Sequence, residues 1–145
     1  MIQIKKLSKK DWKNYKKLRL EALKNEPLAF GRTFKEENSY SNHKWINRTD
    51  NVIFALDNNE PVGMIVYIFN ESIKTNHIAN LYGMYVKKEY RKKGIGSKLV
   101  KKALAKIQNN PDIEKIKLGV IIQNFPAITL YEKFGFKKIA VLKKN

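Results

Sequence analysis

The 145-residue sequence contains no cysteine. This absence excludes disulfides, thiolate zinc sites and cysteine nucleophiles, and it fits a reducing compartment, so we expect a cytoplasmic protein. Long hydrophobic runs are missing too: the longest, Val62 to Phe69, is far shorter than the roughly 20 residues that span a bilayer. The first residues, MIQIKKLSKKD, contain no apolar segment typical of a secretory signal. We therefore expect no membrane partner.

Arginine is scarce, although the formal net charge is +17. Of the 30 basic residues, four are arginine: Arg19, Arg32, Arg48 and Arg91. Base and phosphate recognition in nucleic acids favours the bidentate arginine fork, and the lysines are spread along the whole chain. We interpret the charge as a solvated surface that attracts polyanionic cofactors or acidic substrates, with no specific nucleic-acid partner. A basic nucleic-acid-binding protein is the minor alternative, and its affinity would depend steeply on salt.

The length predicts a single domain covering residues 1–145. Alternating and continuous apolar segments predict strands, and apolar residues at helical spacing between capping signals predict helices. The strands are expected at 2–7, 52–56, 62–69, 78–86, 113–122 and 136–142. A capping-box-like start between Ser8 and Asp11 precedes helical spacing from Trp12 to Leu23, and Pro27 ends this helix. Further helices are expected at 94–108 and 126–134, with one short helix, or a helix broken near 39–42, between residues 34 and 48. This order predicts an α/β domain of the α+β type on a mixed sheet.

The most informative segment is Arg91-Lys92-Lys93-Gly94-Ile95-Gly96, which joins the predicted strand 78–86 to a helix. A helix N-terminus has unpaired N–H groups and a partial positive charge, and glycine lets a ligand approach the backbone closely. Together these features favour a phosphate site, to which the neighbouring basic side chains add charge. The spacing R-x-x-G-x-G fits neither the Walker pattern nor the dinucleotide fingerprint. The alternative is that Gly94 and Gly96 only shape a tight turn.

A second motif, N-x-x-A-x-x-L-Y-E-K-x-G-F, runs from Asn124 to Phe136, about 30 residues after the first. In order, type and spacing the two motifs resemble the cofactor region of the GNAT superfamily of acyl-CoA-dependent N-acetyltransferases. The resemblance extends over residues 77–136. Segments 18–23 and 27–31 are similar to a GNAT subgroup in which this region lines the acceptor side. The resemblance implies a mostly antiparallel central sheet flanked by helices, with a V-shaped splay between the fourth and fifth strands.

For the cofactor, the resemblance implies acetyl-CoA and no metal. The pyrophosphate would lie on the loop and helix start, and the pantetheine arm would pair with the end of the long strand. Val86 N–H would polarise the thioester carbonyl, Asn124 would bind the pantetheine, and Tyr131 would protonate the departing thiolate. A capping asparagine and a core tyrosine are the alternatives for the last two. The implied cofactor contacts are Met84, Tyr85, Val86, Arg91, Lys92, Lys93, Gly94, Ile95, Gly96, Ser97, Asn124 and Tyr131.

The acceptor side is less well defined by the sequence. Many relatives carry a glutamate on the long strand, where this chain has Asn80. The candidate residues on this side are Glu21, Phe30, Gly31, Glu36, Glu37, His77 and Asn80, and no general base is assigned among them. The acceptor is expected to be a small-molecule or peptide amine. If no base is present, the chain would be a non-catalytic acyl-CoA sensor.

The superfamily usually has one more strand after the position of 136–142. Either this strand is missing, or a partner chain completes the sheet, as in a homodimer.

Overall fold

The computed structural model describes residues 1–27, 30, 32–120 and 124–138. Its sheet has five strands in the order β1-β2-β3-β4-β5. The first four are antiparallel neighbours, and β5 runs parallel to β4. This confirms the mixed, mostly antiparallel sheet. The strands are β1 (Ile2–Lys6), β2 (Val52–Asp57), β3 (Glu60–Phe69), β4 (Ile78–Val86) and β5 (Lys115–Leu118).

Helices cover both faces of the sheet. They are α1 (Trp12–Asn25), α2 (Phe34–Asn38), α3 (Asn42–Asn47), α4 (Ile95–Gln108) and α5 (Phe125–Lys133). A capping box between Ser8 and Asp11 begins the first helical region, as predicted, although a short 3₁₀ turn precedes α1. The segment 34–48 is a broken helix because the Ser41 side chain accepts from Lys44 N–H and starts a new helix there.

Two separate apolar clusters hold these helices on the sheet. On one face, Tyr15, Leu18 and Ala22 of α1 and Trp45 of α3 pack against β2, β3 and Tyr85. On the other face, Leu99, Val100, Ala103 and Ile107 of α4 pack together with Tyr131 of α5. We call these the α1 face and the α4 face. Among the described residues, no helix is both long and apolar enough to cross a bilayer.

A β-bulge interrupts β4. Tyr85 is opposite Met64 and Tyr82 is opposite Val66, so β4 has one residue more than β3 over this stretch. Gly83 lies in the bulge with φ +64°, where other residues are strained. A Cβ at Gly83 would lie 3.2 Å from Arg19 Nη1. The bulge therefore brings the backbone of β4 close to a side chain of α1.

Beyond the bulge, β4 and β5 separate. Their parallel ladder ends at Leu81 opposite Leu118, whereas β4 continues to Val86. This is the predicted splay between the fourth and fifth strands. The predicted strand 113–122 was too long: residues 113–114 and 119–120 are outside the ladder, and 121–122 are outside the described residues. Of the expected last strand, residues 136–138 are not in a strand, and 139–142 are outside the described residues.

Candidate active site

The end of β4 exposes polar backbone groups to the splay. Lys87 N–H donates to the Val62 carbonyl at 2.9 Å, and the next opposed pair is Gly63 and Val86. Hydrogen-bonded and non-bonded pairs alternate along an antiparallel ladder, so the N–H and C=O of Val86 point away from β3. Within the described residues, the ladder between β4 and β5 ends at Leu81, so these groups point to the side of β4 from which β5 has separated. This orientation is the one required by the donor role that the resemblance implies for Val86, and that role stays a prediction.

The neighbouring residues of β4 are used differently. By the same alternation, the backbone of Tyr85 bonds to β3, so the contact predicted between Tyr85 and a ligand cannot come from its main chain. The Tyr85 hydroxyl donates to Glu21 Oε2 at 3.0 Å and accepts from Asn25 Nδ2 at 3.3 Å. The Met84 side chain lies on the α4 face, beside Tyr131.

The loop before α4 has the geometry of an anion site. Gly94 caps the helix with φ +79°, and Lys92 also has a positive φ of 62°. Lys98 N–H bonds to the Gly94 carbonyl at 3.1 Å, while the N–H groups of residues 95–97 have no acceptor within the described ranges. The first turn of α4 contains no acidic residue. Free amides at a helix start attract a phosphate, and the first turn of α4 contributes no carboxylate that would oppose this.

Gly96 has a packing role in addition. A Cβ at this position would lie 3.2 Å from Leu130 Cδ2 and 3.8 Å from Met84 Cε. The start of α4 therefore sits directly on α5 and β4. A side chain at residue 96 would separate these elements.

Arg91 does not extend freely toward a phosphate. Its Nε donates to the Val86 carbonyl at 2.8 Å, and its Nη2 binds the Glu26 carboxylate. Its guanidinium also packs against the ring of Tyr85, 5.8 Å from the centroid. Lys92 and Lys93 are exposed as well, and neither forms an ion pair among the described residues.

Tyr131 is buried on α5, with 8% of its surface exposed. Its hydroxyl lies 3.7 Å from Met84 Sδ. Burial raises the pKa of Tyr131 to about 12, so the phenol keeps its proton at neutral pH. The side chain therefore presents a neutral hydroxyl at the inner edge of the α4 face.

Asn124 begins α5. Its Oδ1 accepts from Ala127 N–H at 3.3 Å, which is the capping contact that the sequence left open as an alternative. Since the cap uses the oxygen, the side-chain NH₂ group can still donate to a ligand.

Glu37, one of the candidate bases, is fully buried in an ion cluster. It accepts from Arg19 Nε at 3.0 Å, Arg19 Nη2 at 2.8 Å and Arg48 Nη1 at 2.8 Å. Burial alone would raise the pKa of Glu37, but the hydrogen bonds and charges of the two arginines outweigh it and hold the pKa below its usual value. A carboxylate held in this way is a poor proton acceptor, so Glu37 is not suited to be the base.

The other acceptor-side candidates have separate partners. Glu36 closes a capping box with Thr33 at the start of α2. Asn80 Nδ2 donates to Asn70 Oδ1 at 2.8 Å. The Phe30 ring packs on the Arg19 guanidinium at 4.7 Å, and Gly31 lies outside the described residues.

His77 and Glu21 complete the candidate set. His77 accepts two backbone hydrogen bonds, from Glu114 and Lys115, through its carbonyl. Glu21 is held beside the end of β4 by the Tyr85 hydroxyl. Of the acidic candidates, Glu21 is thus the one bonded to a residue next to Val86.

The Arg19–Glu37–Arg48 cluster is the part of this region that the sequence did not predict. A signal was present, since Arg19 falls between Leu18 and Ala22 on the apolar side of α1. A charged residue on a buried helix face implies a buried partner.

The chain is similar in sequence to a family model and to several known proteins. Residues 15–136 match the family model described as the Acetyltransferase (GNAT) family. An N-alpha-acetyltransferase from Saccharolobus solfataricus is 39% identical over 71 residues, which are 49% of this chain and 41% of that protein. An L-amino acid N-acetyltransferase from Escherichia coli is 26% identical over 102 residues, which are 67% of this chain and 62% of that protein.

The fold is similar to that of a solved structure, the PaiA N-acetyltransferase from Thermoplasma acidophilum in complex with coenzyme A. The TM-score is 0.72 at 26% identity, covering 94% of this chain and 90% of that one. The chain spans less than half the length of the N-alpha-acetyltransferases that it matches: 41% of the Saccharolobus solfataricus protein, and 40% and 41% of two others.

Proposed function

Because the chain belongs to the GNAT acetyltransferase family, we propose that it is an N-acetyltransferase that moves an acetyl group from acetyl-CoA to a primary amine by direct attack. The observation that carries this proposal is the backbone of Val86, which points into the splay between β4 and β5. The phosphate site of α4 and the Tyr131 hydroxyl border the same end of β4. A carbonyl binder, an anion site and a proton donor thus occur together.

The loop fits the pyrophosphate of acetyl-CoA. The N–H groups of residues 95–97, which have no acceptor in the described part of the chain, and the positive end of α4 suit a diphosphate. Lys92 and Lys93 add charge. A Cβ at Gly94 would meet no protein atom within 4 Å, so the space above it is open to a ligand. Asn124 is placed to donate its amide to the pantetheine arm.

When bound, acetyl-CoA supplies an activated thioester. Val86 N–H is positioned to donate a hydrogen bond to an oxygen in the gap, where negative charge develops during acyl transfer. The Tyr131 hydroxyl, kept protonated by burial, can give its proton to a departing thiolate. Glu21, next to the end of β4, is the side chain best placed to accept a proton from the amine, directly or through water.

The names of the relatives support an amine acceptor and do not agree on which one. Those proteins include an N-alpha-acetyltransferase, an L-amino acid N-acetyltransferase and a thialysine N-epsilon-acetyltransferase. The alternative is an acyl-CoA sensor on the same scaffold, which binds the cofactor and has no turnover.

Titration calorimetry with acetyl-CoA, CoA and ATP at physiological salt tests the cofactor. We expect one-to-one, micromolar binding of acetyl-CoA that is selective over ATP. Thiol release with a panel of amines then tests the transfer, and a protein without cysteine adds no background. Selective binding without turnover of any amine would favour the sensor. Equal weak binding of all three compounds would contradict the cofactor assignment.

We also propose a single cytoplasmic domain over residues 1–145, in which a second protomer can complete the sheet. Within the described residues β5 pairs with β4 alone, and its exposed Lys115 and Lys117 are the charged type of residue that protects an edge strand. Sedimentation at tens of micromolar tests this arrangement, and a purely monomeric protein would contradict the homodimer.

A further inference from the structure

The buried cluster on the α1 face has an excess of positive charge. Arg19 and Arg48 share one carboxylate, that of Glu37, and the side chains of Arg19 and Glu37 are 5% and 0% exposed. No other acid forms an ion pair with these arginines in the part of the chain that the structure describes. A buried net charge of one is unfavourable unless something compensates it.

Arg19 also has a donor that its neighbours do not use. Its Nε and Nη2 bind Glu37, while Nη1 is buried and has no hydrogen-bond partner among the residues that the structure describes. This Nη1 is the atom that lies 3.2 Å from where a Cβ of Gly83 would be. It therefore points at the bulge of β4. An unpaired buried donor is rare and disfavours the free protein, which makes it a candidate for ligand binding.

The surface beside this donor is open and basic. Tyr82, adjacent to Gly83, is 38% exposed, and Ile68 on the neighbouring strand is 39% exposed. Burial raises the pKa of Tyr82, while the charges of Arg48, Arg19 and Arg32 pull it down, so these guanidinium groups act on one phenol. Three of the four arginines of the chain thus contribute positive field at Tyr82. The Tyr82 hydroxyl stays protonated and can donate.

We propose that the acceptor is a small amino acid whose carboxylate binds on the α1 face of the β4 bulge, to Arg19 Nη1 and the Tyr82 hydroxyl. Arg32, exposed nearby, adds attractive field. This inference rests on the proposed function and names its substrate class. Guanidinium groups bind carboxylates strongly, and a carboxylate here would both neutralise the cluster and pair the unused donor.

The spacing along β4 suits such a molecule. Gly83 precedes Val86 by three residues, and because the bulge makes three residues of β4 lie opposite two of β3, this is about 7 Å along the strand. An attack distance of about 3 Å uses part of this length. The remainder matches the few bonds between an amine and its own carboxylate. The amine reaches the gap from the α1 face, since α4 and α5 cover the opposite one.

Acetyl-CoA-dependent thiol release with matched acceptors tests the inference. The panel consists of free amino acids and the corresponding amino acid carboxamides. We expect kcat/KM to favour the acids by about tenfold or more, the equivalent of one charge-assisted hydrogen bond. The intrinsic bias is the reverse, because an amino amide has a less basic amine and is deprotonated more readily. Equal or better turnover of the amides, or no turnover of any acid, overturns the inference.

Four variants assign the effect to this surface. Tyr82→Phe removes a donor, Arg32→Gln removes an exposed charge, and Lys24→Gln removes an exposed charge from the last turn of α1. We expect Tyr82→Phe and Arg32→Gln to raise KM for the amino acids but not for the carboxamides. Lys24→Gln should change neither KM value. Arg19→Lys keeps the charge and loses the fork, and its folding is checked by thermal unfolding. An unchanged acid-to-amide ratio in both Tyr82→Phe and Arg32→Gln overturns the inference.

The same experiment separates this inference from the proposed function. If acetyl-CoA binds and amines without a carboxylate are acetylated as well as the acids, the transferase stands and the acceptor class is wrong. If acetyl-CoA does not bind at all, the proposed function fails and this inference fails with it.

Discussion

Arg91 Nε donates a hydrogen bond to the Val86 carbonyl at 2.8 Å. The same guanidinium binds Glu26, which directly follows α1. Arg91 therefore connects the loop before α4 with both β4 and α1. Because the carbonyl of Val86 is fixed on the gap side, the orientation of its N–H is fixed with it. Arg91 therefore acts on the proposed carbonyl binder as well as on the loop.

Replacement of Arg91 by Gln tests this double connection. We expect kcat to fall by about three- to tenfold, the effect of loosening a charge-assisted hydrogen bond on a partly exposed side chain. Affinity for acetyl-CoA should also fall, because the loop is no longer held. Steady-state kinetics and calorimetry measure the two effects. The control is Lys88→Gln, which removes an exposed charge from the segment between β4 and α4. A weaker affinity with kcat intact would identify Arg91 as a phosphate ligand only.

Tyr131→Phe should lower kcat while the dissociation constant of acetyl-CoA stays nearly constant. The phenol contributes a proton, and general acids typically contribute about a hundredfold or more to the rate. Single-turnover kinetics and calorimetry separate the two quantities. Tyr67→Phe, which removes another buried hydroxyl from the same apolar cluster, is the matched control. A kcat equal to that of the wild type would remove Tyr131 from the mechanism.

The features of the site that depend on local chemistry could be predicted from the sequence. The strand that leads to Val86, the glycine loop and the start of α4 are contiguous, and each follows from rules on strands, glycine and helix ends. The break between α2 and α3 is local as well, since Ser41 begins the second helix through its own side chain.

The pairing of distant charges could not be predicted. Glu37 lies 18 residues from Arg19, and Glu26 lies 65 residues from Arg91. In a chain with 30 basic and 13 acidic residues, the partner of each carboxylate is decided by tertiary packing. The length of β5 was overestimated for a similar reason: the bulge at Gly83, on another strand, accompanies the loss of pairing after Leu118.

The two glycines of the loop should respond differently to substitution. Gly94→Ala is expected to lower the free energy of unfolding by about 1–2 kcal/mol, because an alanine is strained at a φ of +79°. The Cβ added in this variant meets no protein atom within 4 Å, so no clash adds to this cost. Its new methyl group projects into the space proposed for the phosphates, so acetyl-CoA should bind more weakly. Urea unfolding and calorimetry measure both effects.

Gly96→Val should weaken acetyl-CoA binding and disturb the packing of Leu130 and Met84 as well. We expect a larger loss of stability than for Gly94→Ala, together with a lower kcat because Met84 contacts Tyr131. Gly96→Ala, with a single added carbon, is the graded control. A folded Gly96→Val protein with unchanged acetyl-CoA affinity would contradict the pyrophosphate site.

The stability of the protein should fall steeply at alkaline pH. Burial raises the pKa of both Tyr15 and Tyr131 to about 12, against about 10 in the unfolded chain. Below pH 10 both phenols are protonated in both states, so they add no pH dependence. Between pH 10 and 12 the unfolded chain loses these protons first, and the free energy of unfolding falls by about 3 kcal/mol per tyrosine. Urea unfolding from pH 9 to 12 measures the slope, and tyrosinate absorbance follows the ionisation. Tyr131→Phe should remove about half of this contribution, and an identical slope in that variant would show that Tyr131 does not titrate with unfolding.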